Sequence, residues 1–275
     1  MEYRAPAKLN LCLYLGPSRK DGLHELTSIF EPLSLADRIT VSASGSDQVI
    51  CPGVEGENLA TKALRLLRSE GWQHDPVRIE IEKNIPVQAG LGGGSADAAA
   101  VLRLAVGEVD DLAGLAIILG ADVPSQIDPA PCLVEGVGQK LTSLPTPAEH
   151  WIVLLHFTEG LSTAEVFSEA DRLGIGRSQE EIDEISGRLW AVASGGVSPL
   201  AYPALLINDL ERAAVSLKPE IGHHKQRLSS AGAAFTGMTG TGPTLFGIFE
   251  TRGDAEKAAG ELGPGAIVCQ GGVTP

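Results

Sequence analysis

The sequence predicts an α+β fold in two halves. Strand-period alternation dominates residues 1 to about 50. Between Val77 and Ala100 a strand, a glycine-rich loop and an alanine-rich helix follow one another, and after a proline-bearing break at Thr142 to His150 the chain closes on a β-α-β pattern. With 275 residues, the chain suits two modest domains. Its 43% hydrophobic and 20% charged residues support a core and exclude a disordered or collagen-like chain.

Each element has a local reason. Leu9, Leu11, Leu13 and Leu15 alternate with Asn10, Cys12 and Tyr14, so Lys8 to Leu15 reads as a strand. It is not read as a secretion signal, because no small-residue cleavage site follows. A polar turn, Pro17 to Gly22, leads to strands at Thr27 to Leu35 and Arg38 to Ala43. Asn58 to Ser69 is an amphipathic helix with Leu59, Ala63, Leu66 and Leu67 on one face. Val77 to Glu82 alternates apolar and charged residues and predicts a half-exposed strand. The alanine-rich helix starts near Ser95, and another, about Asp110 to Leu119, stops at Gly120. Pro145 and Pro147 mark the expected boundary between domains 1–146 and 147–275. Beyond it come a strand, Trp151 to His156, and helices at Ala164 to Arg172, Gln179 to Ala193 and Asn208 to Leu217. The closing β-α-β comprises Leu245 to Phe249, Ala255 to Leu262 and Ala266 to Cys269, while His223 and His224 read as exposed.

Composition narrows the partners. The 21 basic and 35 acidic residues leave a net charge of −14, and no run of Lys or Arg occurs. Both facts argue against nucleic acid or an anionic membrane surface as partner. Cys12, Cys51, Cys132 and Cys269 show no ligand spacing with one another or with histidine, so they read as free thiols in a reducing compartment. No apolar run approaches the roughly 18 residues that span a bilayer. A cytoplasmic protein acting on a small molecule is the expectation, as a monomer or weak homodimer.

The strongest local signal is the run Pro86, Val87, Gln88, Ala89, Gly90, Leu91, Gly92, Gly93, Gly94, Ser95, Ala96. Glycines permit close backbone approach, and the free amides and dipole at a helix start attract an anion. It is not a Walker loop, since no G-K-[ST] occurs. A tight strand-to-helix turn capped by Ser95, with Asp97 favouring the dipole, is the alternative. A second loop, Thr236 to Thr244, is either a glycine-rich hairpin or a second phosphate contact. Together the two loops favour a phosphate-bearing ligand.

Four segments carry a resemblance: Pro6-Ala-Lys-Leu-Asn-Leu11, Asp21-Gly-Leu-His-Glu-Leu26, the loop Pro86 to Ala100, and Leu119-Gly-Ala-Asp-Val-Pro124. With Glu57 to Leu59, Leu161 to Phe167, Asn208 to Glu211 and the loop at Met238, they make the chain resemble the 4-diphosphocytidyl-2-C-methyl-D-erythritol kinase family of the GHMP kinase superfamily. The resemblance implies an N-terminal domain like ribosomal protein S5 domain 2, a ferredoxin-like C-terminal domain and a site between them. It implies ATP along Pro86 to Ala96 with Mg2+, for which Ser95 is a possible contact. It also implies Lys8 and Asp122 as the catalytic pair, Asn10 and His24 as substrate contacts, and Phe167 stacked on a cytosine ring. Without the resemblance, Lys8 reads as a solvent-facing strand lysine, Asp122 as a turn cap, and His24 and Phe167 as structural. The implied activity is ATP-dependent phosphorylation of the 2-hydroxyl of the cytidine diphosphate methylerythritol substrate, in the non-mevalonate isoprenoid pathway.

Three sites depart from the family pattern. Leu23 stands where a tyrosine is usual, Ala96 where a second serine is usual, and Ser125-Gln126 where aromatics are usual. Leu23 implies an alkyl rather than aromatic cover on one face of the base, and Ala96 leaves Ser95 as the remaining loop hydroxyl. Rival readings are a kinase of the same fold acting on mevalonate or homoserine, and a nucleotide-binding homologue without turnover. Asp21 to Leu26 opposes the first rival, and the retained Lys8 and Asp122 oppose the second.

Overall fold

The computed structural model describes residues 1–54, 56–157 and 160–273. Its first sheet has seven strands: β1 (Glu2–Asn10), β2 (Tyr14–Ser18), β3 (His24–Ala43), β4 (Gln48–Ile50), β5 (Val77–Glu82), β6 (Cys132–Gly136) and β7 (Lys140–Ser143). The order is β4-β5-β3-β6-β7, with β1 and β2 also paired to the long β3. Four helices accompany it: α1 (Leu59–Ser69), α2 (Gly93–Leu102), α3 (Leu112–Leu119) and α4 (Val123–Ile127). Asn58 caps α1 by accepting a hydrogen bond from the Thr61 amide at 2.8 Å. Ile39, Val41, Ile79 and Ile81 of the sheet form one core with Ala63, Leu67, Ala99 and Leu102 of the helices.

The second sheet contains β8 (Trp151–Leu155), β9 (Phe235–Met238), β10 (Leu245–Phe249) and β11 (Ala266–Gln270), in the order β11-β8-β10-β9. Every neighbouring pair is antiparallel. The closing β-α-β therefore skips a place, with β8 inserted between its two strands, which is the ferredoxin-like arrangement. Helices α5 (Thr163–Arg172), α6 (Gln179–Ala193), α7 (Glu211–Leu217), α8 (Glu220–Ser230) and α9 (Arg252–Leu262) complete the fold. Val153, Leu155, Leu245 and Phe249 pack with Val166, Ala213, Leu228 and Ala258 of these helices. The opposite face, Ile152, Leu154, Phe246 and Ile248, joins Leu9, Ile29 and Leu33 of the first sheet and Ile182 and Leu189 of α6 in a shared core. No helix among the described residues is long and apolar enough to cross a membrane.

Several expected elements shift. The strand read at Lys8 to Leu15 breaks after Asn10 and resumes at Tyr14, because Leu13 instead bridges to Asn208. The two strands expected between Thr27 and Ala43 are one continuous strand, which pairs with β2 and β6 along one half and with β1 and β5 along the other. The helix expected from Asn208 begins at Glu211, since Asn208 is spent on that bridge. His223 and His224 lie in α8, where His224 is half-buried with its ring 4.1 Å from that of Phe157 rather than exposed.

Candidate active site

A cleft of about 1080 Å³ is lined by both halves of the chain. Four titratable side chains face it among the described residues, Lys8, Asp122, His24 and Asp171, and they form two pairs.

The first pair follows from strand period. Ala7, Leu9 and Leu11 enter the core, so Lys8 and Asn10 share the other face of β1 and its end. Lys8 is 5% exposed, which overturns the solvent-facing alternative. A buried ammonium needs compensation. Nζ donates to Asn10 Oδ1 at 2.6 Å, lies 3.3 Å from Asp122 Oδ2, and sits 4.7 Å from the Phe30 ring centroid. Asn10 is itself fixed, donating through Nδ2 to Ser28 Oγ at 3.0 Å and through its amide to Thr239 Oγ1 at 2.9 Å. Asp122 precedes α4 without a side-chain cap bond and lines the cleft.

The glycine-rich loop crosses the same cleft. Gly90 (φ 71°) and Gly92 (φ 69°) hold left-handed backbone, where glycine carries no Cβ penalty. The helix α2 starts at Gly93, not Ser95, and no side chain caps it. Gly90, Gly92 and Ser95 line the cleft. Other members of the run serve packing: Ala89 and Leu91 are in the core, and the Leu91 carbonyl accepts from the Lys8 amide at 2.9 Å. Ala96 is 1% exposed and its amide is consumed by the Gly92 carbonyl at 2.8 Å, so neither its side chain nor its amide is offered to a ligand. A Cβ at Gly92 would lie 2.8 Å from Lys8 Cγ, so this glycine makes room for the lysine as well.

Asp97 is buried rather than at the helix mouth. It accepts from Lys83 Nζ at 2.7 Å, and Lys83 also pairs with Asp37. Burial pushes the Asp97 carboxyl up to about 7 against the opposing pull of Lys83. Asp37 in turn accepts from the amides of Asn84 (2.6 Å) and Ile85 (2.8 Å), so the trio ties β3 and the end of β5 to α2.

The second glycine loop reaches the cleft through Gly240 and Thr241, its first residues belonging to β9. Asn208 shapes it, Nδ2 donating to the carbonyls of Met238 (2.7 Å) and Gly240 (2.8 Å). Thr241 Oγ1 lies 3.2 Å from Thr163 Oγ1 at the start of α5.

At the second pair, His24 Nε2 lies 3.2 Å from Asp171 Oδ1, and Nδ1 lies 3.4 Å from the Gly16 carbonyl. The His24 and Phe167 rings stack with centroids 5.6 Å apart at 30°. That is direct ring contact and leaves no gap for a third ring between them. Sequence reasoning missed Asp171 and the role of Asn208. The signal for Asp171 was its place one helical turn after Phe167 on α5.

Residues 58–136 match the family model for the GHMP kinases N terminal domain, and residues 190–265 match that for the GHMP kinases C terminal region. A 4-diphosphocytidyl-2-C-methyl-D-erythritol kinase of Saccharopolyspora erythraea is 40% identical over 97% of this chain and 88% of its own. The chain belongs to the 4-diphosphocytidyl-2-C-methyl-D-erythritol kinase family. A relative of the same name from Mesorhizobium japonicum is 36% identical over 94% of this chain and 90% of its own. A crystal structure of 4-(cytidine 5'-diphospho)-2C-methyl-D-erythritol kinase matches with a TM-score of 0.84 at 35% identity, covering 99% of this chain and 100% of that one. A homoserine kinase from Cytophaga hutchinsonii, at 18% identity and a TM-score of 0.69, shares the fold, covering 98% of this chain and 93% of its own.

The three departures from the family pattern have distinct places. Leu23 is 52% exposed and lines the cleft beside His24. Ala96 faces the core, so a hydroxyl there would not reach the cleft. Ser125 and Gln126 are buried in α4, where Ser125 Oγ donates to the Asp122 carbonyl at 2.8 Å and so steadies the loop that carries Asp122.

Proposed function

We propose that this chain transfers the γ-phosphoryl group of ATP to the 2-hydroxyl of 4-diphosphocytidyl-2-C-methyl-D-erythritol, a cytoplasmic step of isoprenoid synthesis. The observation that carries the reading is the 3.3 Å approach of Lys8 to Asp122 in a cleft shared with an uncapped, glycine-rich helix start. Phosphoryl transfer through a loose transition state needs alignment and charge neutralisation more than a strong base. In this reading Asp122 accepts the proton of the attacking hydroxyl. Lys8, oriented by Asn10, offsets the charge that develops on the transferring group. The amides at the start of α2 bind the ATP phosphates.

Mg2+ suits the same place. It takes oxygen ligands, keeps several waters and relies on one or two protein oxygens plus substrate phosphates. Ser95 Oγ and the Asp122 carboxylate are oxygen donors of that kind on the cleft wall. When bound, the ion neutralises charge on the β- and γ-phosphates. The substrate's base lies against His24, Phe167 and Leu23, stacked beside the His24–Phe167 pair on its cleft side. The chain divides near residues 146 and 147 in this reading, between the end of the first sheet at Ser143 and the start of the second at Trp151.

The chemistry is tested by a double-mutant cycle. Asp122→Asn lowers kcat by about two to four orders of magnitude with ATP affinity kept. Lys8→Ala lowers it comparably, and the double variant falls far short of the sum because the two act as a unit. Near-normal turnover in Asp122→Asn would place the proton acceptor elsewhere.

A further inference from the structure

We propose that Thr239 is a positioning residue for phosphoryl transfer: its hydroxyl, supplied by the second half of the chain, fixes Asn10 and through Asn10 the ammonium of Lys8. The inference rests on the phosphoryl transfer proposed above and goes beyond it, because it gives a residue outside the cleft wall a part in the reaction.

The requirement comes from a strand edge. Within its sheet β1 pairs with β3, and Lys8 and Asn10, two residues apart, turn their amides to the other edge. A buried amide left without an acceptor is costly. The Lys8 amide donates to the Leu91 carbonyl of the first glycine loop at 2.9 Å, and the Asn10 amide donates to Thr239 Oγ1 of the second, also at 2.9 Å. Both glycine loops are thus docked on alternate amides of one strand. The side chains at those same two positions are Lys8 and the asparagine that holds it.

Thr239 is fully buried and does not line the cleft, although Gly240 and Thr241 beside it do. Its Oγ1 also lies 3.5 Å from Asn10 Oδ1, the oxygen that accepts from Lys8 Nζ at 2.6 Å. A threonine hydroxyl can accept and donate, so one group faces both the backbone and the side chain of Asn10. Its own place is pinned from both sides. Asn208 donates to the carbonyls of Met238 and Gly240, which flank Thr239, and the Thr239 amide donates to the Thr244 carbonyl at 3.1 Å.

The consequence for the reaction is alignment. A lysine ammonium is a compact charge on a flexible four-carbon stem, so its place is set by what its donors meet. Asn10 Oδ1 at 2.6 Å is a closer partner than Asp122 Oδ2 at 3.3 Å. Removing the Thr239 hydroxyl leaves the Asn10 amide buried and unpaired, and the strand end shifts toward another acceptor. Oδ1 and the ammonium move with it, while the cleft wall that receives ATP stays intact.

ADP release with ATP, Mg2+ and 4-diphosphocytidyl-2-C-methyl-D-erythritol tests this on the wild type and on variants of the loop. Thr239→Val keeps the shape and loses the hydroxyl. It lowers kcat by about tenfold to a hundredfold, the scale of misplacing a reacting group by about an ångström, and leaves KM for ATP within about threefold. Thr239→Ser, which keeps the hydroxyl, stays within about threefold of wild-type kcat. Thr244→Val removes another fully buried hydroxyl of the same loop, one that meets His156 Nδ1 at 3.1 Å, and leaves kcat unchanged. In an Asn10→Ala background Thr239→Val lowers kcat little further, because the two act in series. Thr239→Ala carries the same test where Thr239→Val fails to fold. Full kcat without the hydroxyl, an equal loss in Thr244→Val, or additive losses with Asn10→Ala each overturn the role. The Asn10 amide proton, read by NMR without ligands, moves upfield in Thr239→Val and stays in Thr239→Ser. A wild type that shows this shift pattern and no turnover removes the kinase reading and keeps the hold of Thr239 on Asn10. A wild type that turns over as fast as Thr239→Val removes the positioning role and keeps the kinase.

Discussion

Gly94→Ala separates anion binding from packing. Gly94 is the second residue of α2, and a Cβ there would meet only Leu59 Cδ1, at an ordinary 3.8 Å. Alanine in a helix is favoured over glycine by about 0.5–1 kcal/mol. At about 2–4 °C per kcal/mol for a chain of this size, the melting temperature rises by about 1–4 °C. In the proposed reading the ATP phosphates approach the amides beside Gly94, and there the added methyl stands in their way. Losing two hydrogen bonds to a charged group, at about 1.5–3 kcal/mol each, removes about 3–6 kcal/mol. At 1.4 kcal/mol per decade that is about two to four orders of magnitude in Kd for ATP. Calorimetry for ATP and a thermal melt, run on the same preparation, read the two effects with opposite signs. A variant that melts higher and binds ATP within about threefold of wild type would refute the assignment of the phosphates to this helix start. Gly92→Val is a poorer probe, because its Cβ would strike Lys8 at 2.8 Å and sit at a positive φ, which displaces Lys8 directly.

Two further predictions concern the base and the core. Leu23→Tyr adds a flat ring beside His24 and lowers KM for the cytidine substrate several-fold with kcat nearly unchanged, the pattern of uniform binding. Phe167→Ala raises KM by roughly 5- to 150-fold, from about 1–3 kcal/mol per stacked base, and steady-state kinetics showing Phe167→Ala silent would move the base elsewhere. In the core, His150 and Glu31 are both buried with Nε2 and Oε2 3.0 Å apart. Burial lowers the imidazole pKa, but the hydrogen bond and charge of Glu31 outweigh it, and the net direction is up from 6.5. A raised folded value means stabilisation that is complete below about 6.5 and fades as pH rises through the folded value. Glu31→Gln therefore costs about 3–5 kcal/mol near pH 6 and less near pH 9, measured by denaturant unfolding, and a cost independent of pH would contradict it.

Local pattern made some of this molecule legible. The amphipathic run Asn58 to Ser69 foretells α1, although Asn58 stands outside the helix as its cap, and the alternation at Val77 to Glu82 foretells β5 residue for residue. Period two places Lys8 and Asn10 on one face, which is how they come within 2.6 Å. Their burial was not legible, because what surrounds them comes from residues 30, 91, 122 and 239, all brought in by tertiary packing. Helix α8 lay hidden for another reason: of its eleven residues only Ile221 and Leu228 are buried, too sparse an apolar stripe to show a period. Asn208 looked like a helix start and is instead a clamp on a loop thirty residues away. The glycine run was legible as a strand-to-helix loop but not in its division of labour, since only the fold shows that Gly92 clears space for a side chain from β1.

Phosphorylation of a cytidine-bearing alcohol in the cleft is the proposed activity, and it can be measured directly. ADP release, coupled to a spectrophotometric readout in Mg2+ and ATP, is measured with 4-diphosphocytidyl-2-C-methyl-D-erythritol, mevalonate and homoserine in parallel. Turnover with the first is expected at a kcat/KM of at least about 10⁴ M⁻¹s⁻¹, the lower end of the usual enzyme range. None above background is expected with the other two. Equal or greater turnover of mevalonate or homoserine, or no ADP release with the cytidine substrate, would contradict it.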